Sequence, residues 1–361
     1  MSVPAPSTAA RLPFVDALKA LASQLIVLHH LALYGPMSDV VRPWSLGLVD
    51  ALDAHGRLAV QVFLVLGGFL SARALAPDGA ARFTAPGPLI GRRAARLAVP
   101  YWAAIALAIA CAAVARQWAS LPDTPAAPGA LQLLANLLML QDVVGLEALS
   151  AGLWYVAIDL QLYALFVFAL WLAARSGRAL AAPVVIAAGA AVSLLAVNRD
   201  PSWDAWAPYF FGSYGLGALA WWAARAPRAG RAVAGIAALG AVALALDFRW
   251  RIALALVTAL VLAWATRSGA LGRWPASPLL AFLGRISYSV FLAHYPVSLL
   301  FNAAAARWFP QDPLANLAGL LLAWAASIGA GALLYRWVED RSRPASGSRR
   351  ADAAHRTRPS G

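Results

Sequence analysis

Two adjacent histidines, His29 and His30, lie in the run LIVLHHLALY, which belongs to an apolar stretch long enough to cross a bilayer. Polar side chains are costly in a bilayer core and usually serve a function there. Lys19 precedes His30 by eleven residues, about 16 Å or three helical turns, so the two share a face. His29 is rotated by about 100° and points elsewhere. His30 is therefore a candidate base or nucleophile in one cavity with Lys19, and a structural role fits His29 better.

Simpler explanations exist for the same residues. Lys19 can extend to the headgroups at its end of the helix, and His30 can be buried against a neighbouring helix with its ring nitrogens satisfied. A carboxylate in LWYVAIDLQLYALF, Asp159, must either pair with a cation or hold a histidine at that depth. Asp159 is therefore a candidate orienting group for His30.

Two further segments carry polar groups at the edge of, or within, apolar stretches. GRRAARLAVPYW places Arg93 and Arg96 on one helical face, where their bidentate donors suit a phosphate-rich cytoplasmic ligand. Arginines at a membrane surface commonly only set topology, so this alternative stays open. LGRISYSVFLAHYPVSL places Ser287, Tyr288 and His294 in a single span. The sequence contains no HExxH, CxxC or Walker-type motif, so a metal or nucleotide-hydrolysis site is not expected.

The elements that must position these groups are membrane helices. The chain has 361 residues, of which 61% are hydrophobic and 12% charged, far outside the range of soluble domains. Its apolar runs predict an all-α, polytopic integral membrane protein with about ten transmembrane helices. The predicted spans are 13–34, 58–76, 97–116, 152–174, 179–197, 208–224, 231–247, 251–266, 283–304 and 315–337.

The distribution of positive charge sets the expected orientation. With ten spans and the N-terminus inside, 21 of the 29 Lys and Arg lie on the cytoplasmic side and 7 lie outside. An additional span at 130–141 would reverse this bias, so that segment is expected to be re-entrant or interfacial. Both termini are then cytoplasmic, with a tail at 1–12, a membrane domain at 13–340 and a disordered basic tail at 341–361. Topology accounts for the net charge of +13, and no nucleic-acid partner is expected.

Six segments, taken in order, resemble the acyltransferase 3 family over roughly residues 13–343. DALKALASQLIVLHH is similar to the family pattern D-G-L-R-A-L-A-x(6)-H, and FLVLGGFL to F-F-V-L-S-G-F-L. RRAARLAVPYW, LWYVAIDLQLY, LGRISYSVFLAHYP and VEDRSR match four further motifs in the same order. The sequence departs from the family at Lys19, which replaces Arg, at Gly67 and Tyr155, which each replace Ser, and at Asp159, which replaces Glu.

The resemblance implies a membrane-bound O-acyltransferase that moves a group other than aminoacyl from cytoplasmic acyl-CoA to a carbohydrate acceptor. It suggests that Arg93 and Arg96, with Lys19 behind them, hold the donor phosphates, and that His30 acts as base or acyl carrier with Asp159 beside it. The acceptor end is then expected at three polar side chains: Ser287, Tyr288 and His294. No permanently bound cofactor is expected.

Acetyl is the default acyl group, and the Ala- and Arg-rich composition suits a GC-rich bacterial genome, hence a bacterial inner membrane. Two alternatives stay open from sequence alone. A transporter or flippase also needs many spans with buried polar groups, although inverted repeats or paired broken helices are not evident. The second alternative is a catalytically silent relative of the family that acts as an interaction partner.

Overall fold

The fold is entirely helical in the part of the chain that can be described. The computed structural model describes residues 11–178 and 181–342, and these ranges contain helices, turns and loops but no strand. The long helices are α1 (Pro13–Leu33), α4 (Val60–Leu75), α5 (Gly87–Trp118), α7 (Leu153–Arg175), α8 (Ala181–Leu195), α9 (Ala207–Arg225), α10 (Ala229–Leu246), α11 (Trp250–Ser268), α12 (Pro278–Trp308) and α13 (Pro313–Leu334). Shorter helices are α2 (Met37–Val41), α3 (Leu48–His55), α6 (Ala130–Leu137) and α14 (Asp340–Ser342).

Within the described residues, nine helices are long and apolar enough to cross a membrane. Helix α9, which covers the predicted span 208–224, has a similar length but a higher content of Tyr, Trp, Gly and Ser. Sixteen of its 19 residues are buried against other helices. Because protein rather than lipid surrounds α9, it does not need an apolar surface. The prediction of a polytopic all-α membrane protein is confirmed, and α9 is its central helix.

The segment 130–141 does not span the membrane. It forms α6, whose eight residues reach only about 12 Å at 1.5 Å per residue. Asn136 anchors this helix, since its side chain donates to the carbonyl of Glu147 and accepts from the amide of Leu149. Helix α5, by contrast, begins ten residues before the predicted span at 97, so both Arg93 and Arg96 lie within it. Of the predicted tails, residues 1–10 and 343–361 lie outside the described residues.

Glycines allow α4 and α9 to cross with their backbones in contact. A Cβ at Gly68 would lie 1.8 Å from the carbonyl oxygen of Tyr214, and one at Gly217 would lie 1.9 Å from that of Val65. Both positions therefore exclude any side chain. Helix packing therefore explains the glycine at position 68.

Helices α1 and α12 run parallel and touch at both ends of their contact. A Cβ at Gly284 would lie 2.2 Å from the carbonyl oxygen of Asp16, so the helices start side by side. At the same end, Arg11 donates to the carbonyl of Ala281. We call this end of the bundle, with Arg11 and Asp340, the terminal face; the opposite end, with Trp118 and Trp308 in ring contact, is the far face.

Candidate active site

His30 and His294 meet between α1 and α12. The Nδ1 atom of His30 and the Nε2 atom of His294 are 2.9 Å apart, and the ring centroids are 4.8 Å apart. His294 is 1% exposed, whereas His30 keeps a partly accessible surface. The two residues are 264 positions apart in sequence, so the parallel packing of α1 and α12 creates the pair.

The hydrogen-bond network assigns the protons of this pair. Nδ1 of His294 lies 2.6 Å from the carbonyl oxygen of Phe291, which can only accept, so Nδ1 carries a proton and donates. In a neutral His294 the Nε2 atom is then an acceptor, and His30 must donate to it from Nδ1. The remaining nitrogen of His30, Nε2, has no hydrogen-bond partner in residues 11–178 and 181–342, and it carries a free lone pair. This nitrogen can accept a proton or attack an electrophile.

The neighbouring histidine has a structural role. Nδ1 of His29 lies 3.0 Å from the carbonyl oxygen of Leu52, and its side chain packs against Gly56, where a Cβ would lie 2.6 Å from that of His29. His29 thus fastens α1 to α3. The prediction that His29 and His30 face different partners agrees with this geometry.

Asp159 does not orient His30. Its carboxylate accepts a hydrogen bond from Nη2 of Arg93 at 2.5 Å, and Asp159 is 7% exposed. A buried carboxylate is most stable beside a charged, bidentate-capable donor, and Arg93 is that donor because α5 extends far enough to place it beside α7. Of its two expected arrangements, Asp159 therefore adopts the pairing with a cation, and His294 rather than Asp159 is the residue bonded to His30.

The ion pair with Asp159 changes the role expected for Arg93 in binding the donor phosphates. Its guanidinium lies 5.3 Å from the ring centroid of Tyr163 and is already paired with Asp159. The single hydrogen bond to Asp159 comes from Nη2, so the guanidinium keeps further N–H donors, and among them Nε is buried without a hydrogen-bond partner in the described residues. Arg93 therefore retains donor capacity, but its charge is already balanced by Asp159.

Lys19 lies on the terminal-face side of His30, as its spacing predicted. It interacts electrostatically with Asp16, Arg93, Arg96 and Glu339, and no carboxylate oxygen of residues 11–178 or 181–342 lies within 4.0 Å of its ammonium group. Asp16 is already bonded to Arg11 at 2.8 Å. The ammonium group of Lys19 is therefore better placed than Arg93 to bind an anionic group. Arg96 is exposed and lies near Lys19.

Glu339 is a buried polar residue that the sequence reasoning did not single out. It ends the π-helical turn Tyr335–Glu339, is 5% exposed, and accepts a hydrogen bond from Ser289 of α12 at 2.7 Å. π-turns inside helices occur often at functional sites. The signal that could have identified Glu339 is its place in the VEDRSR motif, at the edge of the arginine-rich tail.

Ser287 and Tyr288 do not lie at the histidine pair. The hydroxyl of Ser287 donates to the carbonyl of Gly284, and that of Tyr288 donates to the carbonyl of Leu97 at 3.1 Å. They lie about 10 Å below His294 along α12, toward the terminal face. Of the three residues expected at the acceptor end, the structure places only His294 beside His30.

Five polar or aromatic side chains in this part of the bundle keep partly accessible surface: Lys19, His30, Arg93, Tyr155 and Tyr288. The ring of Tyr155 lies 5.3 Å from that of Phe291, and the ring of Phe291 lies 5.9 Å from that of His294. A row of aromatic rings therefore links Tyr155 to the histidine pair.

An apolar groove of about 580 Å³ lies between α1, α3 and α13, and none of these five side chains lines it. Asp312 is its one ionisable lining residue, and that carboxylate caps α13 by accepting from the amides of Leu314 and Ala315. This groove offers no group for acid–base chemistry. No cluster of three or more His, Cys, Asp or Glu side chains that could hold a metal ion occurs in residues 11–178 and 181–342.

Comparison with known proteins identifies the family. A family model of the acyltransferase 3 type, described as an acyltransferase domain, matches residues 12–336. The chain belongs to the acyltransferase 3 family. No curated protein and no solved structure matches it. Family membership and the apolar helices together support a multi-pass membrane acyltransferase.

Two of the departures from the acyltransferase 3 pattern, Gly67 and Asp159, lie close together in space. A Cβ at Gly67, where the pattern has Ser, would lie 2.9 Å from Cε2 of Tyr214 and 3.7 Å from Oδ1 of Asp159. The Tyr214 ring covers this position, and its hydroxyl is hydrogen-bonded to Ser71 at 2.7 Å. The loss of the serine hydroxyl and the shorter carboxylate at 159 are thus neighbouring changes around one buried ion pair.

Proposed function

We propose that this protein transfers an acyl group, by default acetyl, from acyl-CoA at the terminal face to a hydroxyl of a surface or periplasmic glycan at the far face. The terminal face would be cytoplasmic, and the membrane would be a bacterial inner membrane. The observation that carries the proposal is the Nε2 lone pair of His30, which is left free because Nδ1 is bonded to His294, on a side chain that keeps partly accessible surface.

In the proposed reaction, His30 takes up one proton and later releases it. The acceptor hydroxyl gives its proton to Nε2 of His30 while its oxygen attacks the thioester carbonyl carbon. The carbon–sulfur bond of the tetrahedral intermediate then breaks, and the leaving thiolate takes the proton from Nε2. The imidazolium that forms between these steps donates from Nδ1 to His294, which in turn donates to the carbonyl of Phe291. Alternatively, Nε2 attacks the thioester carbonyl carbon and the CoA thiolate leaves; the acceptor oxygen then attacks the acyl carbon on His30, Nε2 is released, and the hydroxyl proton passes to the thiolate.

The donor would be held at the terminal face. Lys19 would bind a phosphate or carbonyl oxygen of acyl-CoA as a point charge, and Arg96 would contribute a second cation near the entrance. Arg93 would contribute an N–H that Asp159 does not use, while Asp159 keeps its charge balanced. This division separates donor binding from the proton transfer at His30.

The proposal is tested with radiolabelled acetyl-CoA and membranes that contain the wild type, His30→Ala or His29→Ala. We expect label to enter the surface polysaccharide fraction with the wild type and with His29→Ala, and no label with His30→Ala. Equal loss in both histidine variants would contradict the assignment of chemistry to His30. A wild type that inserts and binds acetyl-CoA but transfers no label would contradict the proposed function, and absence of acetyl-CoA binding would favour a silent relative.

Base and acyl-carrier mechanisms give different products without acceptor. If His30 carries the acyl group, purified wild type should become labelled by acetyl-CoA alone, and His30→Ala should not. If His30 acts only as a base, label should appear solely in the acceptor. A rapid-quench experiment with and without the polysaccharide fraction distinguishes the two.

A further inference from the structure

A stack of aromatic rings continues from His30 toward the far face. The ring of Tyr34, which directly follows α1, lies 5.6 Å from that of His30 with an interplanar angle of 11°. The ring of Tyr295 meets Tyr34 edge-on at 5.0 Å. Both tyrosines therefore lie on the side of His30 that is opposite to Lys19, where an acceptor would approach.

The turn that carries Tyr34 is held in place from α12. The side-chain amide of Asn302 donates to the carbonyl of Tyr34 at 3.1 Å, and its oxygen accepts from the amide of Met37 at 3.2 Å. Asn302 is 2% exposed, so this clamp is shielded from water. The Tyr34 ring is thus preorganised over His30, while it keeps a partly accessible surface itself.

A carboxylate from the segment between α5 and α6 approaches the same rings. The hydroxyl of Tyr295 donates to the backbone carbonyl of Asp123 at 2.8 Å, which ties this segment to α12. The side chain of Asp123 is exposed and interacts electrostatically with both Tyr34 and Tyr295. Its carboxylate is not needed for the structural bond, which uses the backbone, and so it is available to a ligand.

We propose that Tyr34 and Asp123, with the buried Tyr295 supporting both from behind, form the acceptor subsite and that it takes a polyhydroxylated ring, with the reacting hydroxyl directed at Nε2 of His30. This inference rests on the proposed function. Aromatic faces provide rigid apolar contact for the C–H face of a sugar ring, and a carboxylate accepts hydrogen bonds from its hydroxyls. An aromatic wall with a few directed polar groups is the usual composition of small-molecule sites.

Asp123→Asn is the sharpest test because it removes the charge and keeps the backbone bond to Tyr295. The assay uses labelled acetyl-CoA and the delipidated surface polysaccharide fraction of the producing cells as the acceptor probe. We expect the KM for the polysaccharide to rise about ten-fold or more, as for loss of a hydrogen bond to a charged group, with the KM for acetyl-CoA unchanged. Glu147→Gln is the matched control, since Glu147 is an exposed carboxylate in the same 119–152 segment.

The aromatic part is tested with Tyr34→Phe and Tyr34→Leu. Tyr34→Phe keeps the ring over His30 and should keep most acceptor affinity, whereas Tyr34→Leu should raise the KM for the polysaccharide. Acetyl-CoA binding to each variant, measured by calorimetry, shows that the protein is folded. An unchanged polysaccharide KM in both Asp123→Asn and Tyr34→Leu would overturn this inference while leaving the proposed function intact. Absence of transfer by the wild type would overturn the proposed function instead.

Discussion

Replacing His294 tests the role of the histidine pair most directly. His294→Leu removes the acceptor for Nδ1–H of His30 and fills a similar volume beside Phe291. His294→Gln keeps an acceptor oxygen near the position of Nε2. If His294 acts by holding the proton of His30 on Nδ1, the leucine variant should lose activity and the glutamine variant should keep much of it.

The expected fall in kcat follows from the free energy of the His30–His294 hydrogen bond, which His294→Leu removes. During transfer His30 becomes an imidazolium, so its bond to His294 is charge-assisted and contributes about 1.5–3 kcal/mol. Since 1.36 kcal/mol corresponds to a factor of ten in rate, kcat should fall about 10- to 150-fold in His294→Leu. Lys19 lies about 16 Å from His30, so the KM for acyl-CoA should not change.

The measurement is steady-state transfer of label from acetyl-CoA to polysaccharide by purified protein in lipid nanodiscs, with both substrates varied. His29→Gln is the matched control, because His29 also bonds a carbonyl and its ring centroid lies 4.9 Å from that of His30, but it makes no hydrogen bond to either histidine of the pair. A kcat equal to the wild type in His294→Leu would refute the argument that His294 fixes the tautomer of His30. Equal losses in the leucine and glutamine variants would refute it as well, since the acceptor atom would then be irrelevant.

Three further predictions concern stability and donor binding. Asp159→Ala leaves the charge of Arg93 uncompensated, so the free energy of unfolding should fall by about 3–5 kcal/mol, seen as a lower melting temperature in detergent. Gly68→Ala should lower the free energy of unfolding by about 1–3 kcal/mol or more, because the new Cβ would collide with the carbonyl oxygen of Tyr214. Gly235→Ala is the control, since a Cβ there lies in open space on α10 and should not lower it. Equal melting temperatures of the two variants would contradict this packing. Lys19→Gln should raise the KM for acetyl-CoA about ten-fold, and Lys19→Arg should not; an unchanged KM in Lys19→Gln would remove this residue from donor binding.

The sequence predicted local geometry well because helical periodicity is a local property. The eleven-residue spacing sufficed to place Lys19 and His30 on one face, and the 100° rotation separated His29 from them. The identity of the partner of His30 depended instead on which helices pack together. Asp159 could either pair with a cation or hold a histidine, and only the contact between α5 and α7 decided for Arg93.

Two other features could not be predicted from the sequence, for physical reasons. Glu339 lies outside every apolar run, so its burial arises from a π-turn that composition does not reveal. Helix α9 was predicted as an ordinary span, but its burial by other helices is a consequence of glycine-mediated crossings that hydropathy does not encode. Membrane topology is thus readable from apolar runs, whereas helix neighbours are set by close contacts between residues far apart in sequence.

The choice of a histidine rather than a carboxylate beside His30 follows from its surroundings. A carboxylate at position 294, which is 1% exposed and faces Phe291, would have to be desolvated at a cost of several kcal/mol. A neutral imidazole backed by a carbonyl fixes the same tautomer without placing a net charge there. The charged groups are instead gathered toward the terminal face, where Arg93 and Asp159 balance each other and Lys19 supplies positive charge. In the proposed reaction, an anionic donor would therefore be attracted to the terminal-face side, while the proton would move at the histidine pair between groups that are neutral beforehand.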